Sequence, residues 1–318
     1  MNSHRHGKAV VSAFLLMLPM LAIGCAENSG TESAKAASSA TAGATAAPTS
    51  DHGTPALTQE VRTLADLEAG FHAELGVYAL DTGTGRAVAF NADERFAYCS
   101  TFKALATGVL LKRDTNAQLS AVIHYTSGDL VEYSPVTGQH VSTGMTLRAI
   151  MTAALEYSDN TAANLLLAQL GGPHQLQDAL RDLGDATTNA DRDEPTLNSA
   201  APGDVRDTST ARALGGDLRD FVLGNELSPS RRQLLTGWLL ANTTGGPYIR
   251  AGVPHGWKVA DKTGNGDWGT RDDIAIAWPP GGAPVVIAVL SRRMSADATS
   301  DDSLIADATK AAITALGN

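Results

Sequence analysis

The chain has 318 residues, 43% of them hydrophobic and 18% charged, with a formal net charge of −10. That is enough apolar material for a buried core in one large domain or two. The acidic balance excludes a basic nucleic-acid footprint, and an acidic surface favours solubility without implying a partner.

At the N-terminus, Arg5 and Lys8 precede an apolar run from Ala9 to Ile23 that holds no acidic residue. This is the pattern of an export signal, too short for a stable membrane span. The run ends in Leu21-Ala22-Ile23-Gly24-Cys25, where small residues before a Cys look like a lipobox. Residues 1–24 are therefore expected to be a lipoprotein signal peptide and Cys25 the lipidated first residue of the mature protein. The localisation that follows is export, either anchored on the outer side of the cytoplasmic membrane or secreted. Cys99 is the only other cysteine. Two cysteines, one of them at the processing site, exclude a disulfide framework and metal sites built on cysteine pairs. Residues 25–56 are dominated by Ala, Ser, Thr and Gly. Such a stretch cannot bury enough surface to offset its ordering entropy, and it is expected to be a disordered tether.

The folded body is expected over 57–318. Leu57, Val61, Leu64, Leu67 and Phe71 fall at helical spacing and predict a helix over Leu57–Leu75. Gly76–Leu80 reads as a strand, residues 81–85 as a turn, and Arg86–Phe90 as the returning strand. From Ser100 to Leu111 the pattern is helical and strongly apolar. Residues 112–240 are helical segments broken by Gly, Pro and Asp. Strands return at Gly256–Lys262, Asp273–Trp278 and Val285–Met294, and a helix over Asp301–Leu316 closes the chain. Strands at both ends and helices between them predict an α+β fold, with a cleft between sheet and helices as the place for a site.

Three short motifs carry chemistry. In Ser100-Thr101-Phe102-Lys103 the hydroxyl and the amine lie one helical turn apart on one face. A serine is a poor nucleophile until a base takes its proton, and Lys103 can be that base if burial lowers its pKa. Alone, this spacing occurs in many helices as a surface pair. Ser158-Asp159-Asn160 opens a helix, where Ser or Asp is also a common N-cap. Lys262-Thr263-Gly264, followed by Asn265-Gly266, sits at a strand end, where Lys and Thr can hold an anion and glycines admit a substrate to the backbone; a hairpin turn with a solvated Lys is the plainer alternative.

Together and in this order, the three motifs resemble the signature of the penicillin-recognising serine enzymes, the penicillin-binding proteins and class A β-lactamases. The fourth element, Arg192-Asp193-Glu194-Pro195-Thr196-Leu197-Asn198, looks like the omega loop of the β-lactamases. The resemblance spans about residues 57–317. It implies a two-part β-lactamase/transpeptidase-like fold: an antiparallel five-stranded sheet flanked by helices (about 57–95 and 240–318) plus an all-helical region (about 96–239). The implied activity is opening of the β-lactam ring through an acyl-enzyme on Ser100, conferring resistance. Ser158 would relay a proton to the leaving nitrogen. Glu194 with Asn198 would activate the deacylating water, and the acylation base would be Lys103 or Glu194. Lys262, Thr263 and Arg271 would receive the substrate carboxylate, Gly264 would let the substrate come close to the backbone, Asn160 would bind the acylamido side chain, and Tyr133 would form one wall. Backbone N–H groups of Ser100 and Asn265 would make the oxyanion hole. An Arg192–Asp207 ion pair would pin the loop ends. No metal, no organic cofactor and no nucleic-acid partner is expected; the partners are a small β-lactam and the membrane lipid, and the chain is expected to be a monomer.

Several positions depart from the family pattern. Asn265 stands where members usually carry Ser, Thr or Ala, and its larger amide is expected to alter substrate preference. Cys99 lacks the cysteine partner seen in carbapenem-hydrolysing relatives, because Gly266 occupies that position, so a buried free thiol is expected. Ala211 replaces a frequent Pro at the loop exit. The nearest rival is a D,D-peptidase, which has no deacylating glutamate; a β-lactam sensor and an inactive binding module are more remote.

Overall fold

The computed structural model describes residues Gln59–Gly317, so the expected signal peptide, the Cys25 lipid site and the tether lie outside the described residues. Helix α1 (Gln59–Gly70) leads into strands β1 (Ala73–Asp81), β2 (Ala87–Phe90) and the two-residue β3 (Phe96–Ala97). The helical part then runs through α2 (Phe102–Arg113), α3 (Asn116–Ser120), β4 (Val122–Ile123), β5 (Met145–Thr146), α4 (Leu147–Glu156), α5 (Asn160–Leu170) and α6 (Pro173–Asp182). A long loop reaches β6 (Thr208–Ser209), then α7 (Ala211–Val222), α8 (Pro229–Leu240) and α9 (Ile249–Gly252). Strands β7 (Lys258–Asn265), β8 (Arg271–Trp278) and β9 (Val285–Arg293) and helix α10 (Ser303–Leu316) finish the chain.

The main sheet has the order β2-β1-β9-β8-β7, with every neighbouring pair antiparallel. This is the five-stranded antiparallel sheet the sequence motifs implied. Both faces are covered. Val286, Ala288 and Leu290 of β9 join the core with α2, α5 and α7, while Val285, Ile287 and Val289 join α1 and α10 on the opposite face. Period-2 alternation therefore sends apolar side chains both ways, and the strand reads as a continuous hydrophobic run. Helix α2 is buried from Phe102 to Leu111, as expected of a helix apolar all round.

Two boundaries differ from expectation. The first helix stops at Gly70, not Leu75: His72 adopts a left-handed φ of 49°, and Ala73–Leu75 pair with Ser291–Arg293 of β9. Nine consecutive pairings with a buried strand outweigh the local helical pattern. Lys262-Thr263-Gly264 lies inside β7, paired with Asp272–Ile274 of β8, so the hairpin alternative with a solvated Lys262 is not met.

The helical part holds a buried carboxyl group on α7. Asp217 of α7 is buried, and its Oδ2 has no hydrogen-bond donor. Burial, then the neighbouring Asp185 carboxyl, push Asp217 up to about 9. Asp185 accepts backbone N–H bonds from Thr187 and Thr188. The folded state holds the Asp217 proton more tightly than the unfolded chain, so stability is complete below about pH 4 and declines as pH rises towards 9. Asp217→Asn keeps a donor without an ionisable group. Its thermal unfolding is expected to match the parent near pH 4 and to lie several degrees higher at pH 8, on the order of 2 kcal/mol. A gap independent of pH would assign the effect to packing.

Candidate active site

Ser100 sits in a single 3₁₀ turn, Cys99–Thr101, that runs into α2. The turn is tied down by its neighbours: Thr101 Oγ1 donates to the Tyr98 carbonyl at 2.6 Å, and the buried Tyr98 hydroxyl donates to Asp207 Oδ1 at 3.2 Å. Cys99 takes a left-handed φ of 45°, and Tyr133 and Ser158, on other walls of the cleft, have φ of 61° and 57°. Left-handed backbone at non-glycine residues is strained, and strain of this kind gathers at functional sites.

Ser100, Tyr133, Ser158, Asn160, Asn198, Thr244 and Asn265 line a cavity of about 220 Å³. A roomier cleft of about 380 Å³, between Glu68, Glu74, Arg192 and Arg206, is lined by no serine or lysine. Among the described residues, no group of three or more His, Cys, Asp or Glu side chains is placed to hold a metal ion.

Behind the cavity lies a buried network. The Ser100 hydroxyl donates to Glu194 Oε1 at 3.2 Å. Lys103 Nζ, fully buried, meets Glu194 Oε1 at 3.0 Å, the Ser158 carbonyl at 2.8 Å and Asn160 Oδ1 at 2.6 Å. Three acceptors match the three protons of an ammonium. Burial pulls the Lys103 amine down, and the adjacent Glu194 carboxyl works against that pull. Asn198 Nδ2 donates to Glu194 Oε2 at 2.5 Å, so both carboxyl oxygens are engaged. In this resting geometry the Ser100 proton faces Glu194, while Lys103 is directed at other acceptors.

Ser158-Asp159-Asn160 combines both uses considered for it. Asp159 is the cap: it accepts from Ala162 N at the start of α5 and from Val136 N, Thr137 N and the Thr137 hydroxyl. Its neighbours Ser158 and Asn160 face the cavity. The Asn160 amide spans Lys103 and the Glu132 carbonyl at 3.0 Å, leaving one N–H for a ligand. Lys262 Nζ donates to Ser158 Oγ at 2.9 Å and to the Thr263 carbonyl at 2.8 Å. Burial, followed by the nearby Lys103 charge, lowers Lys262 to about 7. Its ammonium therefore gives up a proton far more readily than an exposed lysine.

The loop that carries Glu194 is pinned at both ends. Arg192 Nε meets Asp207 Oδ2 at 2.5 Å, and Asp207 Oδ1 also accepts from the N–H groups of Asp191 and Arg192. Ala211 forms the buried first residue of α7, with Thr210 as its cap. Tyr133 is exposed at the cavity rim rather than packed among helices.

Arg271 pairs across the sheet with the cavity residue Asn265, and its guanidinium binds Asp302 at 2.9 Å and the Thr270 carbonyl at 2.8 Å. Asp302, at the head of α10, is the nearer anion and captures it. Gly264 and Gly266 admit protein, not only substrate. A Cβ at Gly264 would meet the Tyr98 carbonyl at 2.9 Å, and one at Gly266 would meet Cys99 Sγ at 2.7 Å and the Asn198 carbonyl at 2.8 Å. These glycines let β7 press against the nucleophile turn and the Glu194 loop. Cys99 is a buried free thiol, and burial first, then the Asp272 carboxyl, raise it.

Some site residues were missed in the sequence. Asn164 brackets the Glu194 backbone, donating to its carbonyl at 2.9 Å and accepting from its N–H at 2.8 Å. It lies one helical turn after Asn160, a spacing that could have found it. Thr244 lines the cavity and shares a 2.6 Å hydroxyl contact with Thr263. Nothing local in the sequence marked it.

A strained serine turn, a buried lysine and a loop carboxyl–amide pair at one cavity define a serine acyl-transfer hydrolase. The chain matches the profile of the beta-lactamase enzyme family over residues 56–316. It is 56% identical over 263 residues to a β-lactamase of Amycolatopsis lactamdurans, covering 83% of this chain and 86% of that one. Over 252 residues it is 56% identical to a β-lactamase of Bacillus licheniformis, covering 79% of this chain and 82% of that one. The solved structure of a class A β-lactamase from Clostridium kluyveri superposes with a TM-score of 0.80 at 46% identity, covering 82% of this chain and 99% of that one. The chain belongs to the beta-lactamase enzyme family, within class A.

Proposed function

We propose that this protein hydrolyses β-lactam antibiotics through an acyl-enzyme on Ser100 and so confers resistance to them. The observation that carries this reading is the placement of one carboxyl group, Glu194, within 3.2 Å of the Ser100 hydroxyl and 2.5 Å of the Asn198 amide. A substrate carboxylate docks towards Lys262 and Thr263. Asn160 offers its remaining N–H to the acylamido group, and Tyr133 covers one side. The lactam carbonyl meets the backbone N–H groups of Ser100 and Asn265, where charge develops in the transition state. Ser100 attacks as its proton passes to Glu194, and Lys103 can serve in its place. Ser158, fed by Lys262, protonates the departing nitrogen. The proton that Glu194 took from Ser100 returns to make up the one Lys262 gave, and Glu194, a carboxylate again, orients a water with Asn198 and deprotonates it; that proton passes back to Ser100 Oγ as the acyl bond breaks and the acid leaves.

Residues 1–24 serve as an export signal, Cys25 as the lipid attachment point, and residues 25–56 as a tether that holds a monomeric enzyme at the outer side of the membrane. The apolar run and the lipobox-like end support the first two parts, and family resemblance supports the monomer.

Purified protein is expected to turn over a penicillin and a cephalosporin catalytically, with an acid-quenched adduct on the peptide containing Ser100. It is expected to release little D-alanine from D-Ala-D-Ala peptides. Efficient D-alanine release, together with a penicilloyl adduct that persists, would instead make the protein a peptidase.

A further inference from the structure

The cavity wall beside Ser100 contains an amide whose orientation is set from behind. Asn265 ends β7 and lines the cavity. Its Oδ1 accepts a hydrogen bond from the Tyr248 hydroxyl at 2.7 Å. Tyr248 is 5% exposed and belongs to the core with Ile249, Val259 and Ala277. A buried phenol needs a partner for its O–H, and here the partner is the side chain of a cavity residue. Burial raises Tyr248 well above its ordinary range, so the hydroxyl keeps its proton and remains a donor. The Arg271 charge works against this rise, and the Asp302 carboxyl, which Arg271 holds at 2.9 Å, again favours the protonated hydroxyl.

An asparagine amide has an acceptor on one corner and a two-proton donor on the other. With Oδ1 committed to the buried tyrosine, only Nδ2 is left for anything in the cavity, and no described protein group accepts from it. We propose that Tyr248 is a positioning residue that locks Asn265 as a hydrogen-bond donor, so that the site favours β-lactams presenting an anionic oxygen beside Lys262-Thr263-Gly264. The inference rests on the proposed β-lactam hydrolysis and adds a determinant of substrate preference to it. Tyr248 does not touch substrate. It acts through Asn265, whose Oδ1 it holds, and prevents the amide from turning its oxygen towards a carboxylate.

A double-mutant cycle tests this with the full enzyme and a cephalosporin bearing a free carboxylate. Tyr248→Phe removes one oxygen and leaves the ring in the core. It is expected to raise KM about three- to tenfold, the worth of one hydrogen bond, with kcat changed much less. In an Asn265→Ala background the same substitution is expected to have no further effect on KM. Asn265→Asp, which replaces the donor corner with an oxygen, is expected to raise KM more than Asn265→Ala does. Thermal unfolding of each variant separates these effects from loss of packing. An undiminished Tyr248→Phe effect in the Asn265→Ala background, or a KM unchanged by Tyr248→Phe, would overturn the proposal. So would Asn265→Asp binding as tightly as the parent. A parent enzyme that hydrolyses no β-lactam would instead refute the proposed activity itself, before the cycle is read.

Discussion

Glu194→Ala is expected to open roughly one equivalent of penicillin per active site and then stop. Removing the carboxyl takes away the group that, with Asn198, orients the deacylating water. Loss of a positioned general base typically lowers rates by about 10²- to 10⁴-fold, and the acyl-enzyme should therefore accumulate. Acylation should survive for a reason visible in the buried network. Glu194 is the neighbour that holds the Lys103 proton in place against the pull of burial. Without it, desolvation acts on Lys103 unopposed by that charge, the amine loses its proton more readily, and it becomes the base for Ser100. Stopped-flow hydrolysis should show a burst near stoichiometric amplitude, and mass spectrometry a stable adduct. Steady turnover at the parent rate would remove Glu194 from deacylation, and absence of any burst would make it the indispensable acylation base.

Ser100→Ala should abolish turnover more completely, by roughly 10⁴-fold or more, because Ser100 is the cavity hydroxyl that donates to the Glu194 carboxyl, whereas Ser158 is held by Lys262. The change deletes one oxygen at a buried position and should leave the Cys99 turn intact, since that turn is held by Tyr98, Thr101 and Asp207 rather than by the hydroxyl. The variant should still bind substrate, detectable as protection against thermal unfolding at high penicillin concentration. Residual hydrolysis with an adduct on Ser158 or Cys99 would show that a second group can take over the attack.

Much of the site was legible because its chemistry comes in short runs. Ser100 and Lys103 share a helical turn, Ser158 and Asn160 flank one cap, and Glu194 and Asn198 share a loop, so spacing along the chain stands in for proximity. Contacts that bridge separate elements left no such trace. Tyr248 and Asn265 meet across two elements with no common motif, and Asp302 captures Arg271 from the far end of the chain. The fold shows the same division. Local periodicity locates most helices and strands, but it carries the first helix five residues past its end at Gly70, because the partner that claims Ala73–Leu75 is more than 200 positions away. The purpose of Gly264 and Gly266 could be read only once β7 was seen pressed against the nucleophile turn.

Strand β9 lies at the middle of the sheet, between β1 and β8, yet it is the next-to-last element of the chain. During synthesis the β1–β2 hairpin must therefore wait, with one edge bare, until about residue 293 has left the ribosome. The five-stranded sheet cannot be completed before the C-terminal strands are made, so acquisition of the native state is a late event. Pairings this distant along the chain make such folding slow.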